Sequence, residues 1–230
     1  MPYLLGIETA TKVCSVGLFK GAELISLKEE KGDYSHAENL AIFTINILSQ
    51  ANLTVSDLSA IVVSRGPGSY TGLRIGVSFA KGLCYSLQIP LISIDTLHAL
   101  ALGWTQAGNG KKQFICAMID ARRMEVYSAI YTAEMECVKP ISADIIDENS
   151  YNDVLKGQST IFIGDGAAKC QNILLRDERT FYTNFMPSAA YLGQEGFRKF
   201  QNAETENVAY FEPYYLKEFV ALKSAKGNLG

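Results

Sequence analysis

The run Ser64-Arg65-Gly66-Pro67-Gly68-Ser69-Tyr70-Thr71-Gly72-Leu73-Arg74-Ile75-Gly76 constrains the chain more than any other stretch. It follows Ala60-Ile61-Val62-Val63, an apolar, β-branched segment of the kind that forms a fully buried strand. A helical pattern leaves it. Pro67 disfavours the α region at Gly66, the glycines permit backbone angles closed to other residues, and Ser69 or Thr71 can cap the new helix. A buried strand that turns through glycines into a helix belongs to an α/β fold. Such a turn either presents free amides to an anion or lets strand and helix pack closely, and spacing alone leaves both open.

The neighbouring segments extend the pattern. Strands are expected over 3–9, 13–20 and 23–29, then a helix opening at Ser35, where Ser35-His36-Ala37-Glu38 fits a capping box. After the Ala60 strand come a helix over 73–87, a strand over 90–95 and a helix over 96–106. Gly108 to Lys112 has the composition of a linker, and beyond it the pattern restarts with strands over 114–120, 125–131 and 160–163. Pro187-Ser188 opens the last helix, to about Gln201. This order predicts an N-terminal domain over 1–107, a smaller second domain over 108–212, and a tail over 213–230 that returns to the first.

With 48% apolar and 20% charged residues, the 230-residue chain can bury a real core. A net charge of −3 gives no broad footprint for nucleic acid. The five cysteines are scattered and form no C-x-x-C pair, so they read as buried thiols of a reducing, cytoplasmic environment. Glu8 interrupts the first apolar run, no basic region precedes it, and no stretch is long enough to span a bilayer. His36 and His98 lack any metal-ligand spacing, and no G-x-S-x-G elbow accompanies Ser64 or Ser69.

Two helices are apolar on more than one side. Leu40, Phe43 and Ile47 share one face while Ile42, Ile45 and Leu48 lie elsewhere, and the helix over 73–87 mixes large residues with Gly76, Ala80 and Gly82. Either both helices are sandwiched within the fold or their outer faces meet another subunit. Three polar segments have equally mixed readings. Glu8-Thr9-Ala10-Thr11 could meet a phosphate or form a hairpin turn. Asp120-Ala121-Arg122-Arg123 could clamp an anion or pair internally with Asp120 and Glu125. Gly164-Asp165-Gly166 could admit a nucleoside or only turn the chain.

Gly6-Ile7-Glu8-Thr9-Ala10, the Ser64–Gly76 run, the segment from Ile119 to Tyr127, Gly164-Asp165-Gly166 and Tyr215-Leu216-Lys217 together resemble the TsaB (YeaZ) family. The resemblance implies an actin-like, Hsp70-like ATPase fold of two ribonuclease-H-like domains. It implies a non-catalytic role in making threonylcarbamoyladenosine 3′ of the tRNA anticodon, with TsaD as heterodimer partner and TsaE as a further component. A homodimer is implied when the chain is alone, with tRNA reached only through the complex.

TsaD relatives carry Asn-His-x-x-x-His; here Thr96 and Leu100 stand at the two histidine positions, so no metal or other cofactor is expected. Glu8, Thr9, Thr11, Asp120, Arg122, Gly164, Asp165 and Gly166 are implied to be vestigial nucleotide-binding positions, since Glu8-Thr9-Ala10-Thr11 lacks the glycine of the actin-like Asp-x-Gly-Thr. His36, Leu40, Phe43, Ile47, Leu73, Arg74, Val77, Ala80 and Lys81 are the implied partner interface. Leu40→Glu or Val77→Glu is expected to abolish both dimers and leave the monomer folded. The alternatives are an actin-like small-molecule kinase or ATPase using Thr9, Thr11 and Gly164–Gly166, and, more remotely, a peptidase.

Overall fold

The structure, a computed structural model, describes residues 1–32, 36–108 and 113–217. The first three strands, β1 (Tyr3–Glu8), β2 (Val13–Lys20) and β3 (Glu23–Lys31), form an antiparallel meander. Helix α1 (His36–Gln50) leads to β4 (Leu58–Gly66), which lies parallel to β1, and α2 (Tyr70–Leu87) leads to β5 (Leu91–Asp95), parallel to β4. The sheet order is β3-β2-β1-β4-β5. Helix α3 (Thr96–Gln106) crosses to the second half, where the same plan recurs. There β6 (Phe114–Asp120), β7 (Glu125–Tyr131), β8 (Cys137–Ile145), a short α4 (Asn152–Leu155), β9 (Thr160–Ile163), α5 (Asp165–Leu174) and β10 (Arg179–Tyr182) give the order β10-β9-β6-β7-β8. Read from the opposite edge, that is the order of the first sheet, with the same antiparallel and parallel pairings. Two ribonuclease-H-like units repeated in this way make the actin-like fold that the sequence implied.

Strand periodicity explains the layers. Residues alternate between faces, so Leu5 and Ile7 of β1 join Leu40, Phe43, Ile47 and Val77 under α1 and α2, while Leu4 joins Val62 and Ile92 on the opposite face. That opposite face is covered by a 3₁₀ turn at Ala189–Leu192 and by α6 (Gly193–Gln201). Helix α3 lays Leu97, Leu100, Ala101 and Trp104 on the second sheet, against Ile115, Ala117 and Ile161. The far face of that sheet is covered by α5 through Ala167, Cys170 and Leu174. The central strands of both sheets are therefore buried on both faces, while β3 at the edge of the first stays largely exposed.

Ser188 caps the 3₁₀ turn by accepting the Ala190 amide at 3.1 Å, so a turn precedes the helix expected from this position. From here to Phe211 the chain lies on the first sheet, although the sequence grouped it with the second unit. Ala189 and Leu192 are fully buried there, the Glu206 amide donates to Leu91 O at 2.8 Å, and Phe211 enters the core beneath α2. The apolar face of the first sheet left open by α1 and α2 supplies the reason. The expected Ser35 cap and most of the linker, 109–112, fall outside the described residues.

Candidate functional site

The glycine run and the β1–β2 hairpin form one unit. Ser69 caps α2, its hydroxyl accepting the Gly72 amide at 3.2 Å, and its own amide donates to Ala10 O at 2.6 Å. The Thr9 hydroxyl donates to Gly72 O at 2.8 Å. Gly68, Gly72 and Gly76 line the helix side that receives the hairpin, and a Cβ at each would overlap Ala10, the Thr9 carbonyl and the Thr9 side chain respectively. The hairpin therefore packs directly on the glycine face of α2. Of the two readings that spacing left open, close packing is the one realised, and Thr9 and Thr11 are buried rather than presented.

Glu8 ends β1 with no solvent exposure. Its Oε1 accepts the Ala10 amide at 2.6 Å, whereas Oε2 has no hydrogen-bond partner and neither has the buried Ser64 hydroxyl on neighbouring β4. Burial pushes the Glu8 carboxyl up to about 7, against the pull of the Ala10 amide and of the Ser64 hydroxyl, which is close enough to be felt without meeting hydrogen-bond geometry. Beside them, Arg65 and Asp95 form a two-point ion pair at 2.6 and 3.2 Å.

The second unit repeats the device. A Cβ on Gly164 or Gly166 would meet the backbone of Met118 and Ile119, so this loop is filled by its own β6. Asp165 Oδ1 accepts the Asp120 amide at 3.0 Å, and burial raises the Asp165 pKa. Asp120 accepts the Arg122 amide at 2.7 Å and pairs with Lys169 of α5. These residues thus converge on one network, whose partners are the protein's own groups. In both loops the side of the glycines where a Cβ would stand is packed against the protein's own backbone.

Of the two positions at which the resemblance implied histidines in TsaD, Thr96 is buried with an unpartnered hydroxyl and Leu100 is fully buried in the second core. Burial lowers the His98 pKa, and its ring meets Tyr131 edge-on at 5.6 Å. Among the described residues no three His, Cys, Asp or Glu side chains converge as metal ligands.

The expected interface residues need correction. Leu40, Phe43, Ile47, Leu73, Val77 and Ala80 are at most 4% exposed and face the protein's own core, and His36 Nε2 donates to Thr11 O at 2.9 Å. A partner cannot touch them without opening the first domain. Arg74 and Lys81 are engaged as well: Arg74 Nε donates to Tyr215 Oη at 3.2 Å and Lys81 donates to Phe211 O at 2.8 Å. Both hold the segment 209–217 across α2; Tyr214 N donates to Arg65 O at 2.7 Å, and Lys217 pairs with Glu125 of the second unit. The outer faces of the two helices carry other residues. Ile42 and Ile45 of α1 are 53% and 63% exposed, and Tyr85 of α2 is 82% exposed beside an open apolar depression lined by Gly82, Val208 and Ala209. The sequence reading noted Ile42 and Ile45 off the chosen face and missed Tyr85, whose only signal was its place opposite the buried Ala80 and Cys84.

Comparison with known proteins agrees with this architecture. A profile of the family described as "TsaD: tRNA N6-adenosine threonylcarbamoyltransferase" matches residues 30–224. The tRNA threonylcarbamoyladenosine biosynthesis protein TsaB of Escherichia coli K12 is 29% identical over 98% of this chain and 99% of its own length; that of Haemophilus influenzae is 26% identical over 98% of each. YeaZ from Pseudomonas aeruginosa superposes with a TM-score of 0.82 at 26% identity, covering 94% of this chain and all of that one. The chain belongs to the TsaB (YeaZ) family, and with it to the wider family that the TsaD profile describes.

Proposed function

We propose that this chain is a non-catalytic, partner-binding component of tRNA threonylcarbamoyladenosine synthesis. It pairs with TsaD through the outer faces of α1 and α2 and, where TsaD is absent, with a second copy of itself. The observation that carries the reading is the apolar outer surface of these two helices, with Ile42, Ile45 and Tyr85 left exposed after the inner faces have filled the core. The names of the relatives supply the pathway. A catalytic role finds no support in the two glycine loops, each covered by its own hairpin or strand, or at Thr96 and Leu100.

One surface serving two partners makes the two assemblies mutually exclusive. The expected outcome is that the chain alone runs as a dimer by light scattering and that added TsaD converts it to a heterodimer. Ile45→Glu places a charge on the outer face and is expected to abolish both species while circular dichroism still reports a folded monomer. A variant that still forms both dimers refutes the surface.

A further inference from the structure

The β6–β7 hairpin differs from its counterpart in the first unit in one respect. The β1–β2 hairpin is buried against α2, whereas Arg122, Arg123 and Met124 at the tip of β6–β7 are all exposed. Arg122 and Arg123 are consecutive left-handed residues, with φ of 70° and 49°. Turns of this kind favour Asn and Gly, and two bulky residues here are held against their preference. Strain of this sort marks positions where side-chain placement matters more than local stability.

The charges around the tip sharpen the point. The sequence left two options, internal pairing with Asp120 and Glu125 or free guanidiniums. Asp120 is taken by Lys169, and Glu125 is taken by Lys217. Lys169 further donates to Arg123 O at 2.8 Å and Glu125 O at 2.6 Å, fixing the turn from beneath. Among the described residues neither arginine has an ion-pair or side-chain hydrogen-bond partner. Two lysines thus neutralise the local acids and leave two forked guanidiniums unspent. Lys217 also ties the tip to the segment carrying Tyr215, which lies 4.8 Å from the Tyr70 ring, itself under Arg74 at 4.2 Å; Glu212 faces this Arg74.

We infer that the Arg122–Arg123 turn is a phosphate clamp for an RNA backbone, by which this chain touches RNA directly and not only through a partner. Guanidinium pairs bind phosphate oxygens in forked geometry, and an exposed tip suits a polyanion that runs past it. The inference rests on the function proposed above only in naming RNA as the polyanion.

The test is fluorescence anisotropy of a labelled single-stranded RNA titrated with the full-length chain across a range of salt. Wild type binds at low salt and weakens as salt rises. Arg122→Asn with Arg123→Gly removes both charges using residues that accept left-handed backbone, and lowers the log–log salt slope by about 1.4, from about 0.7 for each single-strand phosphate contact. Arg122→Lys with Arg123→Lys keeps the slope with weaker binding. No binding at low salt, an unchanged slope in the Asn–Gly variant with an intact thermal melt, or displacement of the RNA by equimolar ATP overturns the inference. Because the isolated chain is used, a negative result here is separate from failure of TsaD pairing, which light scattering reads.

Discussion

Replacing glycine by alanine within α2 changes stability with a sign that depends on which glycine is chosen. At Gly82 a Cβ meets nothing within 4 Å, so the substitution removes only the entropic disadvantage of glycine and stabilises the protein by about 1 kcal/mol. At Gly72 the new Cβ would sit roughly 1 Å inside van der Waals contact with the Thr9 carbonyl, which is backbone and cannot rotate aside. The hairpin must move. Overpacking of this kind costs about 1–3 kcal/mol. Displacing the hairpin also weakens the Thr9 hydroxyl bond to Gly72 O and the Ser69 amide bond to Ala10 O, at about 1 kcal/mol each. Against a propensity gain of about 1 kcal/mol, Gly72→Ala is destabilising by about 2–4 kcal/mol. Urea unfolding followed by circular dichroism reads both variants, with midpoints moving in opposite directions at unchanged slope. A Gly72→Ala midpoint equal to or above wild type would show that the hairpin is not seated on the helix, and the account of the filled glycine loop would fall with it.

Further consequences can be measured with the same preparation. Leu40→Glu and Val77→Glu each put a carboxylate into a site at most 3% exposed and unfold the first domain, costing at least the roughly 2–5 kcal/mol of a large-to-small core change, where Ile45→Glu leaves a folded monomer. Glu8, raised to about 7 in the folded state from 4.5, holds its proton where the unfolded chain has lost it, so its contribution to stability is full below pH 4.5, falls as pH rises to about 7, and is level above. Glu8→Gln flattens that slope and raises stability at pH 8 by on the order of 3 kcal/mol; an unchanged pH profile would contradict the assignment. Cys137 is exposed, while Cys14, Cys84, Cys116 and Cys170 are buried with pKa values raised by desolvation, so Ellman's reagent titrates one thiol in the native protein and five after denaturation.

Elements with strong local signals were legible in the sequence. The buried run at Ala60–Val63, the Ser69 cap and the helix over 96–106 stand where propensity and turn chemistry put them. β8 was missed because Lys139 and Pro140 interrupt it and leave only the short alternation Ile141-Ser142-Ala143-Asp144-Ile145, as suits a sheet edge. The helix following Gly164-Asp165-Gly166 was also missed, its modest apolar content reading as part of a loop. The site was harder. A helix apolar on several sides gives no directional signal, so Leu40, Phe43 and Ile47 could not be separated from Ile42 and Ile45 until the sheet beneath α1 was in place. The glycines were visible, but the hairpin that fills them comes from residues more than fifty positions away in sequence, and no local pattern reports such a contact.

The most direct test of the central claim is reconstitution of tRNA threonylcarbamoylation from purified components, with and without this chain. Modified tRNA is expected to accumulate only when the chain is present, Ile45→Glu is expected to fail to support it, and the chain without TsaD is expected to form no product. Equal product in the absence of the chain, or product from the chain without TsaD, would contradict the claim.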